Sequence, residues 1–267
     1  MSRLSEMFAR ARAEGRVALM PFATIGYPDF ETSIEIVKAM VAAGADAIEL
    51  GIPFSDPLAD GPTIQKASYA ALQGGTTPAH AIDIVQRLRE AGVAVPLILM
   101  GYFNTFLAQG EDRFISDAAR AGADGLIISD LPPEESDETL AICGKLGLDL
   151  IYLLAPTSDD ARIEQVLSRA GGFIYCVGVV GVTGARAQLA EELPGFLRRL
   201  RERTDLPLAV GFGISKRGHI EALRGLADAA IVASALIDIV GSSPREERVQ
   251  RVRDYVEVLT GRLETAT

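Results

Sequence analysis

Ala43-Gly44-Ala45-Asp46-Ala47-Ile48-Glu49-Leu50 decides how the chain is read. It passes from a helix end through a tight turn and an aspartate into a short apolar strand. The same unit returns as Ala121-Gly122-Ala123-Asp124-Gly125-Leu126-Ile127-Ile128 and as Gly225-Leu226-Ala227-Asp228-Ala229-Ala230-Ile231-Val232. A repeated helix–turn–strand unit signals an architecture assembled from equal parts. In this register Glu49 stands where the other copies carry Ile127 and Ile231. A carboxylate in place of a strand isoleucine is costly to bury unless it is paired or used. The replacement favours a site over a solvated face.

Outward from that unit, short apolar runs predict strands at 17–24, 45–50, 95–100, 125–129, 148–154, 173–177, 206–212 and 229–232. Helical patterns fall between them. Thr32-x-x-Glu35 reads as a capping box, Thr77 as an N-cap with Pro78 at the first helical position, and Asp130-Leu131-Pro132-Pro133 as a helix start. Residues 74–75 break the chain after the loop that follows Leu50, and 193–203 read as a helix. No Asn-Gly hairpin turn joins adjacent strands. Continuous apolar strands alternating with helices predict a parallel sheet. Eight units in 267 residues suit a closed (β/α)8 TIM barrel, an α/β fold spanning residues 1–267 as one domain. An open doubly wound sheet is the alternative. Leu4, Met7, Phe8 and Ala11 recur at helical spacing. Residues 1–15 are therefore expected to form an extra N-terminal helix that plugs one end of the core, and 244–262 a C-terminal helix.

In such a barrel the strand C-termini share one face, where sites are built. Glu49 lies on that face and leads into Gly51-Ile52-Pro53-Phe54-Ser55-Asp56-Pro57-Leu58-Ala59-Asp60-Gly61-Pro62. Asp60 follows eleven residues after Glu49 and can converge on the same cleft, allowing proton donation and acceptance in one place. The alternative is a strand-end glutamate bonded to backbone and a loop aspartate capping a turn. Gly211-Phe212-Gly213-Ile214-Ser215 ends strand seven, and Ala233-Ser234-Ala235 ends strand eight and opens a helix. These loops form the usual phosphate site of this fold. Small residues let backbone N–H groups reach an anion, Ser234 adds a hydroxyl, and Gly184 supplies a donor from loop six. Tight strand–helix packing would account for the same glycines. Phe22, Tyr102 and Phe212 lie at or near strand ends and can form a slot for a flat ring, or serve simply as core; Tyr175, on strand six, reads as a core aromatic whose hydroxyl can still reach a ligand.

Composition narrows the field further. A net charge of -10 leaves no basic stripe to neutralise nucleic-acid phosphates. Cys143 and Cys176 have no CxxC spacing, so core packing in a reducing compartment is expected. With two histidines, His80 and His219, a His-rich metal site is excluded. Lys38, Lys66, Lys145 and Lys216 all fall in helices or loops, which argues against Schiff-base chemistry on a strand lysine. The first residues lack a signal-peptide core, and no apolar run reaches membrane-spanning length. A soluble, cytoplasmic protein is expected.

The segment from Glu49 to Pro62 resembles the signature of the tryptophan synthase alpha chain family. So do Asp130-Leu131-Pro132-Pro133-Glu134-Glu135, Ala155-Pro156-Thr157-Ser158, Gly181-Val182-Thr183-Gly184-Ala185-Arg186 and Gly211-Phe212-Gly213-Ile214-Ser215. The resemblance runs from Pro21 to about Ile239. It implies a lyase of tryptophan biosynthesis that cleaves indole-3-glycerol phosphate to indole and glyceraldehyde 3-phosphate, with no cofactor in this chain. By resemblance Glu49 is the acid/base, Asp60 bonds the indole N–H and Tyr175 positions the substrate. Gly184, Gly213, Ala233 and Ser234 hold the phosphate, with Ala233 where the family usually has glycine. Phe22, Tyr102, Thr183 and Phe212 line the pocket. The implied partner is a beta chain carrying pyridoxal phosphate, in an α2β2 assembly contacted through Asp56, Pro57, Asn104 and Pro132. A stand-alone lyase and a non-catalytic subunit that activates the beta chain are the alternatives.

Overall fold

The computed structural model describes residues 2–177, 183–211 and 213–263, with the side chains of 183–191 outside the description. Eight strands are found among the described residues: β1 (Ala18–Thr24), β2 (Ile48–Gly51), β3 (Leu97–Gly101), β4 (Gly125–Ile128), β5 (Asp149–Leu154), β6 (Ile174–Val177), β7 (Leu208–Gly211) and β8 (Ala229–Val232). Each pairs in parallel with the next, and β8 closes on β1 through Ala18↔Ala229 to Pro21↔Val232. The fold is the expected (β/α)8 barrel, and the open doubly wound sheet is excluded.

The helices are α1 (Arg3–Ala13), α2 (Phe30–Ala42), α3 (Pro62–Gln73), α4 (Pro78–Glu90), α5 (Phe103–Ala108), α6 (Glu111–Ala121), α7 (Asp137–Leu146), α8 (Asp160–Leu167), α9 (Thr183–Arg201), α10 (Arg217–Glu221), α11 (Ser234–Ser242) and α12 (Arg248–Thr260). Several differ from the sequence reading. The N-cap of α2 is Asp29, whose carboxylate accepts from the Thr32 N–H and hydroxyl, so the Thr32/Glu35 capping box does not form. An ionised carboxylate is the stronger cap and wins the helix start by three residues. The loop after β2 is not continuous to Gly74, because α3 begins at Pro62, in the N1 position that suits a residue without an N–H. Asp130 to Pro133 does not open an α-helix. A single 3-10 turn, Pro133–Glu135, precedes α7. α9 starts ten residues before the expected 193 and carries Pro194 inside it.

Alternation sorts each strand between two cores. Residues pointing inward, among them Met20, Ala47, Ile98, Ile127, Ile151 and Ile231, fill the barrel with Phe173 and Tyr175. Residues between them, such as Leu50, Leu99, Leu126 and Val210, face the helices. Leu4, Met7, Phe8 and Ala11 of α1 join the inner core from below, so α1 is the expected plug.

The repeated aspartate explains the repeat. Asp46 accepts from the Leu19 N–H at 2.9 Å, Asp124 from Leu97 at 2.8 Å and Asp228 from Leu208 at 2.9 Å. Each ties the floor of its own strand to a neighbouring strand. Arginines then neutralise each carboxylate: Arg16 in two-pronged contact with Asp46, Arg89 on Asp124 and Arg201 on Asp228. From α1, Arg10, Arg3 and Arg12 reach the same three aspartates in that order. The plug is therefore fastened at three points.

Candidate active site

Glu49 enters the barrel interior on β2, two residues above Ala47, and occupies the position that Ile127 and Ile231 hold on β4 and β8. It is 0% exposed, and neither carboxylate oxygen has a hydrogen-bond partner among the described residues. Burial first, and the nearby Asp60 charge second, raise its pKa from the usual carboxylate range to about 8. Glu49 thus holds its proton at neutral pH, because no group among the described residues bonds to it to compensate a buried negative charge.

Asp60 arrives from the loop between β2 and α3. Burial raises its pKa to about 6, against the lowering effect of a hydrogen bond from Tyr102. The Tyr102 hydroxyl donates to Asp60 Oδ2 at 3.1 Å and accepts from the Ala59 N–H at 3.0 Å. The Tyr102 ring stacks on Phe54, with centroids 5.0 Å apart and planes 18° from parallel. Tyr102 is buried at the N-cap of α5. The next residue, Phe103, donates its N–H to Asp130 at 2.7 Å, so the loops after β2, β3 and β4 are bonded in series.

Tyr175 on β6 completes the group. Its phenol is held neutral chiefly by burial and then by the charges of Glu49 and Asp60. Two glycines make room for the rings. A Cβ on Gly211 would lie 2.6 Å from Tyr175 Cε1, and one on Gly51 would overlap the tip of the Phe22 ring. Phe22 itself packs with Ala67 and Ile237 against Ile64, Met100 and Ala233 in an apolar cluster, and it pairs with Glu49 in the β1–β2 register. Glu49, Asp60, Tyr102 and Tyr175 are therefore brought together, with Phe22 alongside.

The expected anion loops occupy the same face. Gly213 follows β7 with φ +59. Ala233 lies between β8 and α11 at φ -120, outside the left-handed region that favours glycine. Ser234 is the exposed first residue of α11, at the helix end whose first N–H groups have no carbonyl partner within the helix. Gly184 and Thr183 lie in the first turn of α9, and the Thr183 side chain is outside the described residues. Phe212 lies wholly outside them. Of the residues expected to face a partner, Asp56 and Asn104 are exposed and Pro132 is half-buried, while Pro57 is buried.

Some residues escaped the sequence reading. Thr24, at the end of β1, and Ser129, just past β4, carry buried hydroxyls without partners among the described residues. For Thr24 the signal was present: Met20, Phe22 and Thr24 alternate on one strand face. The link between Tyr102 and Asp60 spans 42 positions, and no spacing rule announces it.

A buried pair of carboxyl groups at the C-terminal mouth of a (β/α)8 barrel lies where enzymes of this fold build their active sites. The comparisons narrow the class. The family model for the tryptophan synthase alpha chain matches residues 8–267. The tryptophan synthase alpha chain of Roseiflexus sp. (strain RS-1) is 53% identical over 261 residues, covering 98% of this chain and 100% of that protein. The tryptophan synthase of Saccharomyces cerevisiae is 44% identical over 97% of this chain, which matches 37% of that longer protein. The crystal structure of tryptophan synthase subunit alpha from Legionella pneumophila superposes with a TM-score of 0.89 at 33% identity, covering 98% of both chains. The chain belongs to the tryptophan synthase alpha chain family, and it is a lyase of tryptophan biosynthesis.

Proposed function

We propose that this chain cleaves indole-3-glycerol phosphate to indole and glyceraldehyde 3-phosphate, with Glu49 as the acid and base. The observation that carries the reading is the Glu49 carboxyl: fully buried, without a partner among the described residues, protonated at neutral pH and facing a second carboxylate. Protonation of the indole ring at C3 comes from Glu49 and creates a cation at N1. Asp60, mostly ionised at neutral pH, accepts the N1–H and stabilises that cation. The Glu49 carboxylate then takes the proton of the glycerol hydroxyl next to the ring. The carbon–carbon bond breaks, its electron pair returns to the ring, and the hydroxyl carbon leaves as the aldehyde. Tyr175 fixes the substrate, with Phe22, Tyr102, Thr183 and Phe212 around the ring. Gly184, Gly213, Ala233 and Ser234 take the phosphate at the N-terminal ends of α9 and α11 and the loop after β7.

The partner in this reading is a beta chain that carries pyridoxal phosphate and consumes the indole, in an α2β2 assembly in the cytoplasm. The length of the yeast relative, most of which lies beyond the match, agrees with an alpha-type unit working beside a second one. Among the described residues no helix is long and apolar enough to cross a membrane. The test is indole release from indole-3-glycerol phosphate by the purified chain, alone and with a beta chain. Slow release alone and a large increase with the partner are expected, and Glu49→Gln lowers the rate at least about 1000-fold, the scale of a lost general acid/base. Fast release unchanged by the partner would identify a free-standing lyase. A folded wild-type chain that releases no indole in either setting would falsify the catalytic reading.

A further inference from the structure

Asp60 has two carboxylate oxygens, and the structure treats them differently. Oδ2 takes the Tyr102 hydroxyl hydrogen at 3.1 Å, while no donor reaches Oδ1 among the described residues. A phenol has one hydrogen to give, and here it goes to Asp60, because the other contact of the hydroxyl is the Ala59 N–H, itself a donor. The Tyr102 ring is fixed in turn by stacking on Phe54, near the start of the same loop. One side chain from the end of β3 therefore grips the loop after β2 at both ends. Burial of the Tyr102 phenol and the neighbouring Asp60 and Asp130 charges keep it protonated and able to donate.

We propose that the Tyr102 hydroxyl is a positioning group for Asp60, engaging one carboxylate oxygen so that the other is presented to the N–H of the substrate ring. This rests on the reading of Asp60 given above and deepens it. The Tyr102 hydroxyl acts on the reaction through Asp60. A carboxylate on a loop is free to rotate, and a rotated Asp60 cannot hold the ring nitrogen while the C3 proton arrives. The hydrogen bond also favours the ionised carboxylate, which is the form that stabilises a cation. Burial opposes that effect on Asp60, and the Asp60 charge acts in turn on Glu49 from β2 and Tyr175 from β6. Asp130, beyond β4, acts on Tyr102.

Tyr102→Phe keeps the ring and its stacking and removes only the hydroxyl, and Tyr102→Leu removes both. With the beta chain present, Tyr102→Phe is expected to lower kcat about tenfold, on the scale of one charge-assisted hydrogen bond, with KM within about twofold. The acidic limb of its pH profile moves to higher pH, since Asp60 loses a donor that favours ionisation. Titration of the Asp60 carboxyl followed by 13C NMR reads the same bond without turnover, and its midpoint should rise in Tyr102→Phe. The proposal is overturned if Tyr102→Phe matches the wild type in both kcat and the Asp60 midpoint, or if KM alone rises while the midpoint stays put. A loss confined to Tyr102→Leu also overturns it, because the ring alone would then be doing the holding. If the wild type releases no indole, the reaction assignment fails, while the Asp60 midpoint still decides the role of Tyr102.

Discussion

Glu49 carries an energetic cost that the proposed acid/base role explains. In the unfolded chain it ionises in the ordinary glutamate range, whereas the fold holds its pKa at about 8. Between those values the folded chain binds a proton that the unfolded chain has released, so Glu49's contribution to stability falls as pH rises through this window. Each unit crossed costs roughly 1.4 kcal/mol, and Asp60, raised to about 6, adds loss of the same sign. Glu49→Gln resembles the protonated wild type. Its Tm should match the wild type near pH 4 and exceed it at pH 8, in thermal scans at both values. An equal gap at the two pH values would mean that Glu49 titrates alike in the folded and unfolded chains and would sink the acid assignment. The same pair sets the expected activity profile: a rise as Asp60 ionises near 6 and a fall as Glu49 loses its proton near 8, the two limbs belonging to the pair jointly. At this scale the sequence was informative. An acid in an isoleucine position of a repeat is a visible anomaly, and Glu49 was legible from it. Asp60 was legible only as a candidate, and its bond to Tyr102 was not legible at all.

α1 shows how an element can be both readable and incompletely read. Its apolar stripe of Leu4, Met7, Phe8 and Ala11 predicted a plug, and those four residues close the inner core. The three fastenings to Asp46, Asp124 and Asp228 were not foreseen, because the arginines that make them meet their partners only across the closed barrel floor. Asp46→Ala leaves the Leu19 N–H without its acceptor and the half-buried Arg16 guanidinium without its two-pronged partner. With Arg16 still open to solvent on one side, we expect a loss of about 2 kcal/mol. It should appear as a lower denaturant midpoint with an unchanged slope, and a change under about 0.5 kcal/mol would show the clamp to be ornamental. Helix starts were the weakest part of the reading. Thr32-x-x-Glu35 matched a capping pattern, yet Asp29 took the N-cap. α3 was hidden behind Gly61-Pro62, which reads equally well as a turn or as an N-cap followed by a proline at N1. Local pattern gives the presence of a helix more securely than its first residue, because competing caps differ by fractions of a kcal/mol.

Closure of the whole barrel turns these parts into a site. Glu49, Tyr102 and Tyr175 come from β2, the end of β3 and β6, and only a closed sheet aims them at one volume. The rim around that volume bears Leu107 at 57% exposure on α5, three residues from the exposed Asn104. If this face receives the beta chain, Leu107→Asp should reduce the stimulation of indole release by the partner at least about tenfold, as burial of a charge at an interface centre does. Its rate without the partner and its Tm should stay at wild-type values. Full stimulation of the variant would move the contact elsewhere. The sequence by itself determined the eight strands, their parallel order, the plug and the anomalous acid, because each is written in apolar periodicity within a few neighbouring residues. Only the tertiary structure decided that Glu49 has no hydrogen-bond partner among the described residues, that Tyr102 holds Asp60, that Gly51 and Gly211 give way to Phe22 and Tyr175, and that Pro57 is buried. Those facts depend on desolvation and on contacts between residues distant in the chain, and neither exists until the barrel has closed.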